Sequence, residues 1–92
     1  MADVNEPARM LWYRARTKTA LGSALKSIRR RRSDTQNDAA AKAGSSRPHL
    51  SRIERGVSPQ LDTLMFYLDE YGYEMVLVPR GSHITVGPPS ST

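Results

Sequence analysis

Arginine dominates the chemistry this chain can offer. Four stand together as Arg29, Arg30, Arg31 and Arg32, and Arg47, Arg52 and Arg55 follow within the segment "SSRPHLSRIERG" of residues 45–56. A guanidinium stays charged at physiological pH and presents a rigid fork of donors that suits phosphate and other planar acceptors. Side chains of successive helical residues diverge, so the four-arginine run cannot aim at one ligand. Other chemistries lack their residues. The chain has no cysteine and 2 histidines, His49 and His83, neither with acids or histidines at ligand spacing, which argues against a metal. It has no glycine-rich phosphate loop, partnered nucleophile or paired catalytic carboxylates, and the adjacent Asp69 and Glu70 read as a solvated helix end. The expectation is a non-enzymatic protein without a cofactor.

Charge follows the arginines. The 92 residues carry 14 Lys plus Arg against 9 Asp plus Glu, a net charge of +5. Segment by segment the balance is +1 over 1–16, +6 over 17–32, +1 over 33–56, −3 over 57–72 and zero over 73–92. Such asymmetry directs a basic face at a polyanion and an acidic face elsewhere. Nucleic acid is the favoured polyanion, although charge alone would also suit an anionic membrane surface. No apolar run approaches the roughly 20 residues that span a bilayer, and "MADVNEPARM" lacks the basic-then-apolar order of a signal peptide. A cytoplasmic protein with no membrane partner is expected.

Helices must position these groups. "TALGSALKSIRRRR" from Thr19 places Leu21, Ala24, Leu25 and Ile28 on one stripe, with a basic last turn that suits the negative end of the helix dipole. Ser33 or Asp34 can cap a second, slim helix over about 35–43, ended by Gly44 in a left-handed turn. A third runs from about Arg47 to Arg55, buries Leu50 and Ile53, and stops at Gly56. After "VSPQ", the stripe Leu61, Leu64, Met65 and Leu68 predicts a fourth helix ending at Gly72.

"YEMVLVP" then reads as one short strand closed by Pro79. A lone strand has no partner in its own chain, so Glu74, Met75, Val76, Leu77 and Val78 are expected to pair with their own copies across a homodimer axis. The expected organisation is an N-terminal arm over 1–18, a helical domain over 19–72, a dimerisation strand over 73–79 and a flexible tail over 80–92. In the arm, Met10, Leu11, Trp12 and Tyr13 form an apolar cluster with the makings of a helical turn. Residues 77–83, "LVPRGSH", also match the thrombin-cleavage linker of expression vectors, whereas the strand they overlap has a natural pattern.

The stretch "TQNDAAAKAGSSRPHLSRIERG", residues 35–56, resembles the helix-turn-helix of the Xre (Cro/CI repressor) family. Thr35 and Gln36 open its first helix, Ala40 is the small inter-helix contact, Gly44 makes the turn, and "LSRIERG" closes the second helix. "SPQLDTL" resembles the family's next helix. With "GYEMVLVP" added, the chain is most similar to HipB-type antitoxins. The implied fold class is all-α: a four-helix domain followed by one strand that pairs across a homodimer. The implied function is an operator-binding repressor that is also the antitoxin of a HipA-type toxin kinase and represses its own operon.

The resemblance also implies residue roles. The second helix of the motif enters the major groove of double-stranded operator DNA, palindromic if the reader is a dimer, with Arg47, His49, Ser51 and Arg52 at base edges. Arginine suits guanine O6 and N7 because its fork makes two hydrogen bonds at once. Gln36, Ser46 and Arg55 fall at phosphate-contact positions. Arg29 and Glu54 occupy the positions of a structural ion pair. Pro48 belongs in a first helical turn, where its missing N–H costs nothing, and it disfavours helical backbone at Arg47, which predicts a helix starting at Pro48 with Arg47 as the cap. Asp34, Ala39 and Ser45 stand where the family has apolar residues, a thin core for which Trp12 and Tyr13 are candidate fillers. Three other functions compete: a stand-alone Xre regulator without a toxin, a protein-interaction module that no longer reads DNA, and a nonspecific RNA binder driven by the arginine run.

Overall fold

A computed structural model describes residues 12–57 and 60–88. Four helices succeed one another: α1 (Lys18–Arg31), α2 (Gln36–Lys42), α3 (Arg47–Glu54) and α4 (Leu61–Glu70). Met10 and Leu11 lie outside the described residues, and Trp12 and Tyr13 form no helical turn. The core gathers Leu25 and Ile28 of α1, Ala39 of α2, Leu50 and Ile53 of α3, and Leu64, Tyr67, Leu68 and Tyr71 at α4 and its end.

Local chemistry sets the boundaries. Thr17 is extended and its Oγ1 accepts the Ala20 N–H at 3.0 Å, which starts α1. Neither Ser33 nor Asp34 caps α2. Ser33 takes a left-handed φ of 58° to reverse the chain, and Thr35 is the cap: its Oγ1 accepts the Asp38 N–H while Asp38 Oδ2 accepts the Thr35 N–H, both at 3.0 Å. This reciprocal box satisfies two otherwise orphaned donors, more than a lone Ser or Asp cap can do. Gly44 makes the turn to α3 with φ 65°, a backbone that glycine adopts without penalty.

Gly22 fixes how closely α1 and α3 cross. A Cβ there would lie 2.5 Å from the Ile53 carbonyl oxygen and 2.6 Å from that of Glu54. Only glycine lets the two backbones meet, and the last turn of α3 is thereby pressed onto α1.

The buried face of α4 differs from the expected stripe. Leu64 and Leu68 are buried, but their companions are Tyr67 and Tyr71, while Leu61 and Met65 are exposed together with Phe66. Tyrosine wins because α4 faces polar positions. Tyr67 is 0% exposed, with its hydroxyl facing Ser45, and the Tyr71 hydroxyl donates to Asp34 Oδ2 at 2.9 Å. Thus Ala39, Ser45 and Asp34 do not leave a thin core: their small or polar side chains make room for two aromatic rings with polar tips. The filler is not Trp12, which is 42% exposed. Tyr13 packs at the edge of the core beside Tyr73, ring centroids 6.2 Å apart.

Residues 73–79 form no strand within the single chain, and Val76 and Leu77 are 68% and 93% exposed. The tail opens with a turn at residues 80–81, closed by the Ser82 N–H donating to the Pro79 carbonyl at 3.1 Å. Truncating Tyr67→Ala should cost about 3–5 kcal/mol of unfolding free energy, the range of large aromatic deletions. Trp12→Ala should stay within about 0.5 kcal/mol, as for exposed sites; denaturant melts of the two variants test this pairing.

Candidate nucleic-acid interface

Helix α3 turns Leu50, Ile53 and Glu54 inward. Its helical period then leaves Ser51, Arg52 and Arg55 on the outer face, with Arg47 and His49 at the two margins. Arg47, Arg52 and Arg55 are exposed, and His49 and Ser51 half-buried. Arg55 folds back, its Nε donating to the Ser51 carbonyl at 3.3 Å.

The helix does not start at Pro48. Ser46 is the extended cap, with ψ 153°, and its Oγ accepts the His49 N–H at 3.3 Å. Arg47 is therefore the first helical residue and Pro48 the second. Proline at this place still loses no hydrogen bond, because the early N–H groups of a helix have no intrahelical acceptor. The side-chain cap at Ser46 outweighs the local bias of Pro48 against helical backbone at Arg47.

Beneath this face Glu54 joins three helices. Its Oε2 accepts Arg29 Nε at 2.6 Å, and its Oε1 accepts both Arg29 Nη2 at 2.9 Å and Gln36 Nε2 at 3.0 Å. Hydrogen bonding to Glu54 raises the Arg29 pKa further above its ordinary value against the opposing effect of burial. The remaining donor, Arg29 Nη1, reaches the Asp34 carbonyl at 2.8 Å. Gln36 thus spends part of its amide on the ion pair. Ser46 and Arg55, also at phosphate-contact positions, are exposed.

A second cluster fastens the far end. Asp34 Oδ2 accepts Lys42 Nζ at 2.7 Å as well as the Tyr71 hydroxyl, and Arg32 Nη2 donates to the Tyr71 carbonyl at 2.8 Å while its guanidinium lies over the Tyr71 ring. Hydrogen bonds from Lys42 and Tyr71 hold Asp34 below the usual aspartate value. The same bond raises Lys42, and burial first, then Asp34, pushes Tyr71 upward. Arg32 is therefore a structural arginine.

An open groove of about 480 Å³ runs beside α3. Lys26, Arg29 and Arg30 of α1, Thr35, Gln36 and Asn37 at the start of α2, and Arg47 line it. Four of these are cations and none is an acid. Lys26 and Asn37 are residues that sequence reasoning missed. The available signal was spacing, since Lys26 precedes Arg30 by one helical turn and the two share a face. Among the described residues no cluster suits a metal ion, and no helix is long and apolar enough to cross a membrane.

Comparison with known proteins agrees with this geometry. The model of a helix-turn-helix family matches residues 25–78, more than half of the chain. The chain belongs to the Xre-type helix-turn-helix family. Among solved structures it is similar to a HipB variant in complex with an O2 20-mer, at TM-score 0.69 and 24% identity over 76% of this chain and 99% of that one. It is also similar to a chain of a HipA–HipB–O2–O3 complex and to a chain described as an MDT protein, both at TM-score 0.67 and 24% identity over 75% of this chain and 99% of the other. At this identity the likeness is one of fold. No curated protein matches the chain in sequence.

Asp34 makes the fold sensitive to acid. Its folded-state pKa is depressed, so its contribution is complete above the unfolded value of about 3.9 and is lost as pH falls through the lower folded value. Melting wild type and Asp34→Asn from pH 7 downward should show a stability gap that is widest near neutrality and closes below about pH 4. A gap that widens on acidification would contradict the assignment.

Proposed function

We propose that this chain is a sequence-specific, DNA-binding transcriptional repressor that acts as a homodimer in the cytoplasm, serves as antitoxin of a HipA-type toxin kinase, and represses its own operon. The observation that carries the reading is α3 itself: a capped helix of the Xre type exposes Arg47 and Arg52, with Ser51 half-buried beside them and no acid between them. In this reading α3 enters the major groove, Arg47, His49, Ser51 and Arg52 reach base edges, and Gln36, Ser46 and Arg55 meet phosphates. Arginine supplies guanine recognition by two simultaneous hydrogen bonds.

Two observations support the partners. Likeness of fold to chains solved with O2 DNA and with HipA supports operator and toxin binding. For the homodimer, the support is the exposed apolar run Met75, Val76, Leu77 and Val78. Its unpaired backbone is suited to add a strand to its own copy across a two-fold axis, which would match a palindromic operator.

Binding to the upstream fragment of its own gene, measured against unrelated competitor DNA, tests the DNA half. Wild type should hold the fragment in excess competitor, and Arg47→Ala with Arg52→Ala should each cost about 1–3 kcal/mol and flatten the preference. Equal affinity of wild type for every sequence would remove the repressor reading. Light scattering should give a dimer at micromolar concentration that Val76→Pro dissociates. Co-purification with the product of a neighbouring kinase-like gene should establish the toxin partner, and its failure would leave a regulator without one.

A further inference from the structure

Acid collects in one place in this basic chain. Residues 57–72 hold Asp62, Asp69 and Glu70 and no base. On α4, Asp62 and Asp69 stand one turn to either side of Phe66 on the same helix face, and with Met65 the three line a shallow, open groove of about 500 Å³ whose lining contains no cation. Met65 and Phe66 are exposed, and neither aspartate has a basic partner among the described residues. An exposed aromatic ring between two unpaired carboxylates suits arginine, whose guanidinium can stack on the ring and bond to the acids.

The chain carries the complement in its N-terminal arm. Residues 12–18, ahead of the family domain at 25–78, hold Arg14, Arg16 and Lys18 and no acid. Trp12, Arg14 and Arg16 are exposed, whereas Tyr13 packs against the core beside Tyr73. The arm is thereby pinned where the proposed pairing strand begins, three residues after α4 ends.

We infer that in the homodimer each arm docks on the α4 of the second copy, with Arg14 and Arg16 meeting Asp62 and Asp69 while Trp12 covers Phe66 and Met65. The inference rests on the proposed homodimer and adds to it a surface outside the strand. Charge and access select this occupant. The arm of the same chain leaves the groove open, since only α4 residues line it. Two α4 faces packed on each other would set aspartate against aspartate, and the same acids repel DNA. Reciprocal exchange lets one two-fold axis serve both arm contacts and the strand pair, because the anchor at Tyr73 carries each arm toward the partner when 73–79 pairs.

The test is the dimer dissociation constant of the full chain, measured by sedimentation at about 0.1 M salt, a range in which exposed charges are only partly screened. An arm variant, Arg14→Glu plus Arg16→Glu, and a face variant, Asp62→Arg plus Asp69→Arg, are compared with wild type, with their equimolar mixture and with the four-fold variant. All four positions are exposed, and a circular-dichroism melt checks that each variant is folded. Each double variant should dimerise about tenfold or more weakly, because attraction becomes repulsion at both copies of the contact. The mixture should form a heterodimer of nearly wild-type affinity, since each arm then meets a face of opposite sign, and the four-fold variant should recover likewise.

A wild-type dimer indifferent to both reversals would overturn the exchange and leave the α4 face to a basic segment of another protein. Recovery in the four-fold variant without recovery in the mixture would also overturn it, by placing the arm on its own α4. Failure of the homodimer reading looks different: wild type itself would sediment as a monomer, which removes the dimer and the exchange together.

Discussion

One carboxylate holds the first three helices of this domain in register. Glu54, at the last turn of α3, is buried against Arg29 of α1 and Gln36 of α2, and the Arg29 fork extends the chain of hydrogen bonds to the Asp34 carbonyl between them. The Glu54 and Arg29 side chains are 3% and 10% exposed. Burying such a pair costs desolvation that Coulomb attraction roughly offsets, so its net stabilisation over an apolar pair is small. Its geometric effect is large. A bidentate fork tolerates little sliding, and leaving either charge alone in the interior is expensive. Gly22 makes this contact feasible by letting α3 lie on the α1 backbone.

The rest of the domain is built around that fixed crossing. α2 is slim and short, and its alanine-rich inner face leaves space that α4 fills with Tyr67 and Tyr71. Burial pushes the Tyr67 hydroxyl upward, so it stays protonated and polar without charge. Arg32, Tyr71, Asp34 and Lys42 then lock the end of α4 to the turn before α2. The arrangement separates labour among like residues. Arg29, Arg32 and Lys42 face carboxylates or a carbonyl and brace the fold, whereas Arg47 and Arg52 stand exposed on α3.

Much of the architecture was legible in the sequence. Periodic apolar residues gave α1, Gly44 gave the turn, and the Ala-rich and "LSRIERG" segments gave α2 and α3. What failed had local competitors. "LDTLMFYLDEYG" contains two overlapping stripes, and hydrophobicity favoured Leu61 and Met65 over Tyr67 and Tyr71. The space left by Ala39 and, for Tyr71, a hydrogen bond to Asp34 in the turn before α2 decided for the tyrosines, and no periodicity reveals either. Thr35 beat Ser33 and Asp34 as a cap because Asp38 reciprocates, and Ser46 beat Arg47 as the cap of α3 because its hydroxyl accepts the His49 N–H. Gly22 reads as a weak point in a helix until the crossing helix is seen. The arginine run shows why counts of charge do not place a site: consecutive residues diverge, and each partner lies far away in sequence.

The claim that Glu54 and Arg29 set the register is tested most directly by a double-mutant cycle on stability. Glu54→Ala and Arg29→Ala should each cost about 3–5 kcal/mol, because each strands a buried charge. The double variant should lose clearly less than the sum, with the shortfall at the upper end of the usual range of about 0.5–3 kcal/mol for contacting residues. Strictly additive losses, or single losses within about 0.5 kcal/mol as at an exposed site, would show that the pair is incidental and that the crossing of α1 and α3 is held by apolar packing alone.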